Sequence, residues 1–101
     1  MKIMLVCAAG ASSNVMAKAM NEAAKAMGRP DIKTVAHSEF EYEGYLEEVD
    51  AVLFGPHIKS MEKTFKEICD EYDVPSKCIS SEAYGNLDGK KGVEEALELV
   101  D

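Results

Sequence analysis

The chain predicts a small α/β domain: a doubly wound parallel sheet of four strands, order 2-1-3-4, with helices on both faces. Three observations lead there. Strand-type and helix-type apolar patterns alternate from end to end, and that alternation implies parallel strands joined by right-handed crossovers. The first run, Ile3-Met4-Leu5-Val6, is continuous in apolar residues, as a short buried strand is. A length of 101 residues with 47% hydrophobic content suits one domain, spanning 1–101, with one core.

Lys2 to Val6 is the first strand. From Ser13 to about Met27, the residues Val15, Met16, Ala19, Met20, Ala23, Ala24 and Met27 recur at helical spacing. Lys18, Asn21, Glu22 and Lys25 take the other face, and Gly28 and Pro30 stop the helix. Ile32 to His37 is the second strand. The acidic segment Phe40 to Val49 carries a short helix around Tyr42 to Glu48. Ala51 to Phe54 is the third strand, broken by Gly55-Pro56. Ile58, Met61, Phe65, Ile68, Cys69 and Tyr72 form a second helical stripe that ends before Pro75. Lys77 to Ser80 is the fourth strand. Ser81 to Lys91 is a loop with one helical turn near Ala83, and Val93, Ala96, Leu97 and Val100 mark a final helix.

The net charge of −8 argues against non-specific nucleic-acid binding and against docking on an anionic membrane. No apolar run is long enough to span a bilayer, and the N-terminal run is too short for a signal peptide. A cytoplasmic protein is expected, without membrane insertion. Cys7, Cys69 and Cys78 are an odd count with no close pairing, which fits a reducing compartment.

The chemistry concentrates after the first strand. Cys7 is followed by Ala8-Ala9-Gly10-Ala11-Ser12-Ser13-Asn14, small and rich in hydroxyls, and then by a helix. A loop entering a helix presents unpaired N–H groups and the positive end of the dipole, so it suits an anion. Gly10 permits a turn that a β-carbon would hinder. Ser12 and Ser13 add hydroxyl donors. A cysteine in such a field favours its thiolate, a nucleophile. In the order 2-1-3-4 the switch point lies between strands one and three, so Gly55 to Ile58 should neighbour Cys7. Cys69 and Cys78 read as core residues, and His37 as an ordinary strand-end residue. The acids Asp31, Glu39, Glu41, Glu43, Glu47, Glu48 and Asp50 read as a solvated face.

Cys7 to Ser13 resembles the phosphocysteine loop of the IIB components of the sugar phosphotransferase system, in the lactose/cellobiose (diacetylchitobiose) class. That loop is typically Cys, Ser or Ala, Ala, Gly, Met, Ser, Ser or Thr. Gly55-Pro56-His57-Ile58 resembles the family's Gly-Pro-Gln-Ile/Val, and Tyr84-Gly85-Asn86-Leu87-Asp88-Gly89 resembles its Tyr-Gly-x-x-Asp/Asn-Gly. The resemblance implies a phosphocarrier: Cys7 takes a phosphoryl group from a IIA phosphohistidine and passes it to a sugar at the membrane IIC component. The sugar would be a β-disaccharide such as cellobiose, chitobiose or lactose. It also implies that the N–H groups of Ala8, Ala9, Gly10, Ala11, Ser12, Ser13 and Asn14 bind the phosphoryl group, with no cofactor. Two departures stand out. Ala11 replaces the usual Met. His57 replaces Gln, where it would either hydrogen-bond the phosphoryl group or merely substitute as a polar surface residue.

Rival readings are weaker. A low-molecular-weight tyrosine phosphatase or arsenate reductase needs Cys-x5-Arg, with arginine clamping phosphate. Ser13 stands there instead, and the only arginine is Arg29. Asp88 is a general acid for that rival by residue type alone. A non-catalytic regulatory IIB-like module would retain the fold without transfer. The Cys and His residues lack paired metal-ligand spacing, and a single Gly10 fails the dinucleotide fingerprint.

Overall fold

The computed structural model describes residues 1–8 and 12–100. Strands β1 (Lys2–Cys7), β2 (Lys33–Ser38), β3 (Ala51–Phe54) and β4 (Ser76–Cys78) form one sheet in the order β2-β1-β3-β4. All three pairings are parallel. Helices α1 (Ser12–Ala26), α2 (Glu62–Glu71), α3 (Ser81–Gly85) and α4 (Gly89–Val100) flank it, with 3-10 segments at Tyr42–Glu48 and Pro56–Met61.

The central strand explains the two-layered core. Successive side chains of a strand point to opposite faces. Ile3 and Leu5 therefore join Met16, Met20, Val93 and Ala96 beneath α1 and α4. Met4 and Val6 join Tyr42, Leu46, Phe54, Phe65 and Cys69 on the other face. Burial on both faces is what the unbroken apolar run requires. Gly28, at φ +78, ends the chain's exit from α1, a left-handed position that suits glycine.

Several expected boundaries move, each for a local reason. The fourth strand ends at Cys78 rather than Ser80, because Ser80 caps α3: its Oγ accepts from the Ala83 N–H at 3.1 Å. The expected loop from Ser81 to Lys91 is largely helical, since α3 occupies its start and α4 begins at Gly89. Asp88 Oδ1 accepts the Lys91 N–H at 3.1 Å and secures that second helix start. The stripe from Ile58 to Tyr72 is not one helix. Ile58 leaves helical geometry (φ −112, ψ 19), and α2 begins only at Glu62. Met61 and Tyr72, expected in the stripe, are exposed. In the acidic segment Tyr42 and Leu46 turn inward while Glu41, Glu43, Glu47, Glu48 and Asp50 are exposed.

Candidate functional site

Cys7 is the last residue of β1 and is held from both sides. It pairs with Ser38 of β2, and its carbonyl accepts the Glu39 N–H at 2.7 Å. The preceding carbonyl, of Val6, accepts the Gly55 N–H at 2.8 Å. The thiol thus sits where β1 lies between β2 and β3, at the carboxyl ends of the strands, the position at which folds of this kind bind ligands.

Ser13 reaches Cys7 directly. Its Oγ lies 2.7 Å from Cys7 Sγ, and either atom can be the donor. Both residues are only 2% exposed. Ser13 and Asn14 belong to the first turn of α1, whose N–H groups find no acceptor within the helix. The sulfur thus lies between a buried hydroxyl and a helix N-terminus, a setting that suits a bound anion. A cavity of about 270 Å³ opens beside the thiol, lined among others by Asn14, His37, Ser38 and Glu41. His37 stacks on Tyr45 (ring centroids 3.8 Å apart, 8° between planes), and its Nδ1 lies 3.4 Å from Glu41 Oε1. The sequence reading missed His37 as a site neighbour; only the register of β2 against β1 brings it there. Larger concavities lie along α4 and beside Met1, away from any described nucleophile.

His57 approaches from the β3 side. The Ala8 N–H donates to its Nε2 at 2.9 Å. The ring lies over Gly55, where a β-carbon would come within 2.6 Å of Cε1. The Tyr84 ring lies on another side, with centroids 5.9 Å apart. The three segments singled out in the sequence, around Cys7, Gly55 and Tyr84, thus meet at one end of the sheet. Ala9, Gly10 and Ala11 lie outside the described residues, as does the Ser12 side chain.

The other cysteines differ in kind. Cys69 is fully buried, and burial pushes its thiol up to about 11. Burial also raises the Cys78 thiol, whose Sγ donates to the Gly55 carbonyl at 3.8 Å. Raised thiols of this sort are poor nucleophiles. Arg29 forms an ion pair with Asp31 at 3.1 Å just beyond the far end of α1, so it clamps nothing near Cys7. Among the described residues no cluster of three His, Cys, Asp or Glu side chains could hold a metal. One buried acid went unread in the sequence. Glu95 of α4, 6% exposed, accepts from Ser80 N–H (2.8 Å) and Ser80 Oγ (2.6 Å) and lies 3.5 Å from Lys77 Nζ. It ties α4 to the end of β4.

Fold and site together define a doubly wound α/β domain that holds a buried thiol beside a helix N-terminus at its switch point. Residues 2–95 match the family model of the lactose/cellobiose-specific IIB subunit of the phosphotransferase system, and the chain belongs to that family. It is a phosphotransferase component of sugar uptake. The oligo-β-mannoside-specific EIIB component of Bacillus subtilis (strain 168) is 32% identical over 100 residues, covering 98% of this chain and 95% of that protein. The cellobiose-specific IIB protein of Borrelia burgdorferi superposes with a TM-score of 0.79 at 26% identity, covering 98% of this chain and 90% of that one. The lactose-specific IIB domain of Streptococcus pneumoniae reaches a TM-score of 0.87 over 100% of this chain and 98% of that one. At 17% identity that last likeness speaks for the fold alone.

Proposed function

We propose that Cys7 is the phosphoryl carrier. The thiolate attacks the phosphorus of a phosphohistidine on the IIA partner. An S–P bond forms, the P–N bond breaks, and the imidazole nitrogen keeps the electron pair and takes up a proton. A sugar hydroxyl held by the membrane IIC component then attacks the same phosphorus. The O–P bond forms, the S–P bond breaks, the thiolate returns, and the hydroxyl proton leaves to a base or water on the IIC side. Such in-line transfer depends on positioning and charge stabilisation rather than on further covalent steps. The N–H groups of residues 9 to 14 would supply that stabilisation; the Ala8 N–H, expected among them, donates to His57 Nε2 instead.

The observation that carries the reading is the buried Ser13 hydroxyl 2.7 Å from the Cys7 sulfur in the first turn of α1. That hydroxyl can donate to the sulfur each time the thiolate forms or returns. The pairing of Arg29 with Asp31 favours a carrier over a phosphatase, since a carrier must hold phosphate without hastening attack by water. The sugar would be a β-linked disaccharide or short oligosaccharide such as cellobiose, chitobiose, lactose or a β-mannoside. The protein would work in the cytoplasm, facing the IIC transporter; no helix among the described residues is long and apolar enough to cross a membrane.

The test is intact-mass measurement after incubation with phosphoenolpyruvate, the general carrier proteins and candidate IIA proteins. One phosphoryl adduct is expected on the wild type and none on Cys7→Ala. No adduct with any IIA, or an adduct that survives in Cys7→Ala, refutes the reading. Turnover of an aryl phosphate would favour the phosphatase instead.

A further inference from the structure

We propose that His57 is a positioning residue for the Ala8 peptide directly after Cys7, acting through its Nε2 lone pair on the Ala8 N–H. The proposal rests on Cys7 being the carrier, and it assigns His57 a part other than contact with the phosphoryl group.

Ala8 is the first residue after the thiol, so the direction of its peptide sets where the loop begins relative to the sulfur. Its N–H donates to His57 Nε2 at 2.9 Å. An N–H can be accepted only by a ring nitrogen that carries no proton. The contact therefore fixes the tautomer: proton on Nδ1, lone pair on Nε2, ring neutral.

The ring is itself held in place by backbone and by an aromatic neighbour. Gly55 leaves room for it, since a β-carbon there would stand 2.6 Å from Cε1 and 3.1 Å from Nδ1. The Gly55 backbone (φ −62, ψ 149) is open to any residue, so the absence of a side chain serves the ring and not the chain's conformation. Gly55 is in turn fixed to the central strand, its N–H donating to the Val6 carbonyl at 2.8 Å. Tyr84 of α3 bounds the imidazole on another side. A path of contacts thus runs from Tyr84 through His57 to Ala8, and from Gly55 to Val6, one residue before the thiol. The Gly55 and Tyr84 segments meet the Cys7 loop at this ring. A glutamine offers an acceptor oxygen at similar reach from the same backbone position, so it can serve the same purpose; an alanine cannot.

The test has a structural and a kinetic arm. In long-range proton–nitrogen spectra of the uncharged wild type, His57 should show the Nδ1–H tautomer, and the Ala8 amide proton should move upfield in His57→Ala. Rates of Cys7 phosphorylation by IIA should fall about tenfold in His57→Ala and stay within about threefold of wild type in His57→Gln. Gly55→Ala, which leaves the imidazole intact but displaces it, should resemble His57→Ala in both arms. The Nε2–H tautomer, an unmoved Ala8 resonance, unchanged rates in His57→Ala, or His57→Gln falling as far as His57→Ala would each overturn the proposal. If the wild type accepts no phosphoryl group, the carrier reading fails, and the spectra still decide whether His57 holds Ala8.

Discussion

Replacing Ser13 by alanine isolates the contact that distinguishes Cys7 from an ordinary buried cysteine. The hydroxyl lies 2.7 Å from the sulfur, with both residues 2% exposed, so water has little room to substitute. A thiolate has no proton to give, hence in the reactive form Ser13 is the donor. Hydrogen bonds to charged groups are worth about 1.5–3 kcal/mol, so the contact with the charged sulfur contributes a factor of roughly 10 to 150. Stabilising a thiolate also blunts it as a nucleophile, with a Brønsted slope of about 0.4–0.5 for thiolate attack on disulfides. Carried over to attack on phosphorus, about half the logarithmic gain survives, and Ser13→Ala should lower the rate of phosphorylation roughly fourfold to twelvefold. Rapid-quench mass measurement with a phosphorylated IIA reads this directly, and urea denaturation alongside shows whether the variant remains folded. A folded Ser13→Ala that charges at the wild-type rate refutes the argument, because the buried hydroxyl beside the sulfur would then contribute nothing.

Two further outcomes follow from the core. Gly89→Ala should destabilise the fold by about 3 kcal/mol or more by urea denaturation, since the new β-carbon would meet the Ala19 carbonyl carbon and oxygen of α1, a backbone that cannot swing aside. Stability should also decline as pH rises from about 9 to about 11. Burial keeps the Cys69 thiol protonated up to about 11 in the folded protein, while the unfolded chain releases that proton from about pH 9. The stabilisation is thus complete below 9 and is lost through the folded value, at up to about 1.4 kcal/mol per pH unit. Urea midpoints measured at pH 8, 9 and 10 should show this slope, and Cys69→Ala should lessen it, with Cys78, also raised by burial, contributing part of what remains.

Much of the fold was legible because the pattern that encodes it is local. The strand Ala51–Phe54 and the short helix Tyr42–Glu48 have the bounds their residues predict, since continuous apolar runs and period-driven burial are written in adjacent positions. The segment from Ser76 to Gly89 was less legible. Its strand is short, and its two helix starts are set by capping bonds, Ser80 to Ala83 and Asp88 to Lys91, in a stretch rich in turn-type residues. The split of the stripe at Ile58 was hidden for a different reason: the apolar spacing continues across a backbone kink.

By itself the sequence determined the alternating α/β order, the strand that leads into Cys7, and the three segments whose residues resemble a IIB component. Those depend on composition and spacing along the chain. Only the tertiary structure decided what stands around the sulfur. Ser13 comes to 2.7 Å because α1 starts where it does. His37 lines the cavity because β2 pairs in register with β1. His57 meets Ala8, and Glu95 meets Ser80, across 49 and 15 residues of chain. Spacing within one element follows from its geometry, whereas contacts between elements follow from how the sheet is ordered and how its helices pack, and no local pattern records those distances.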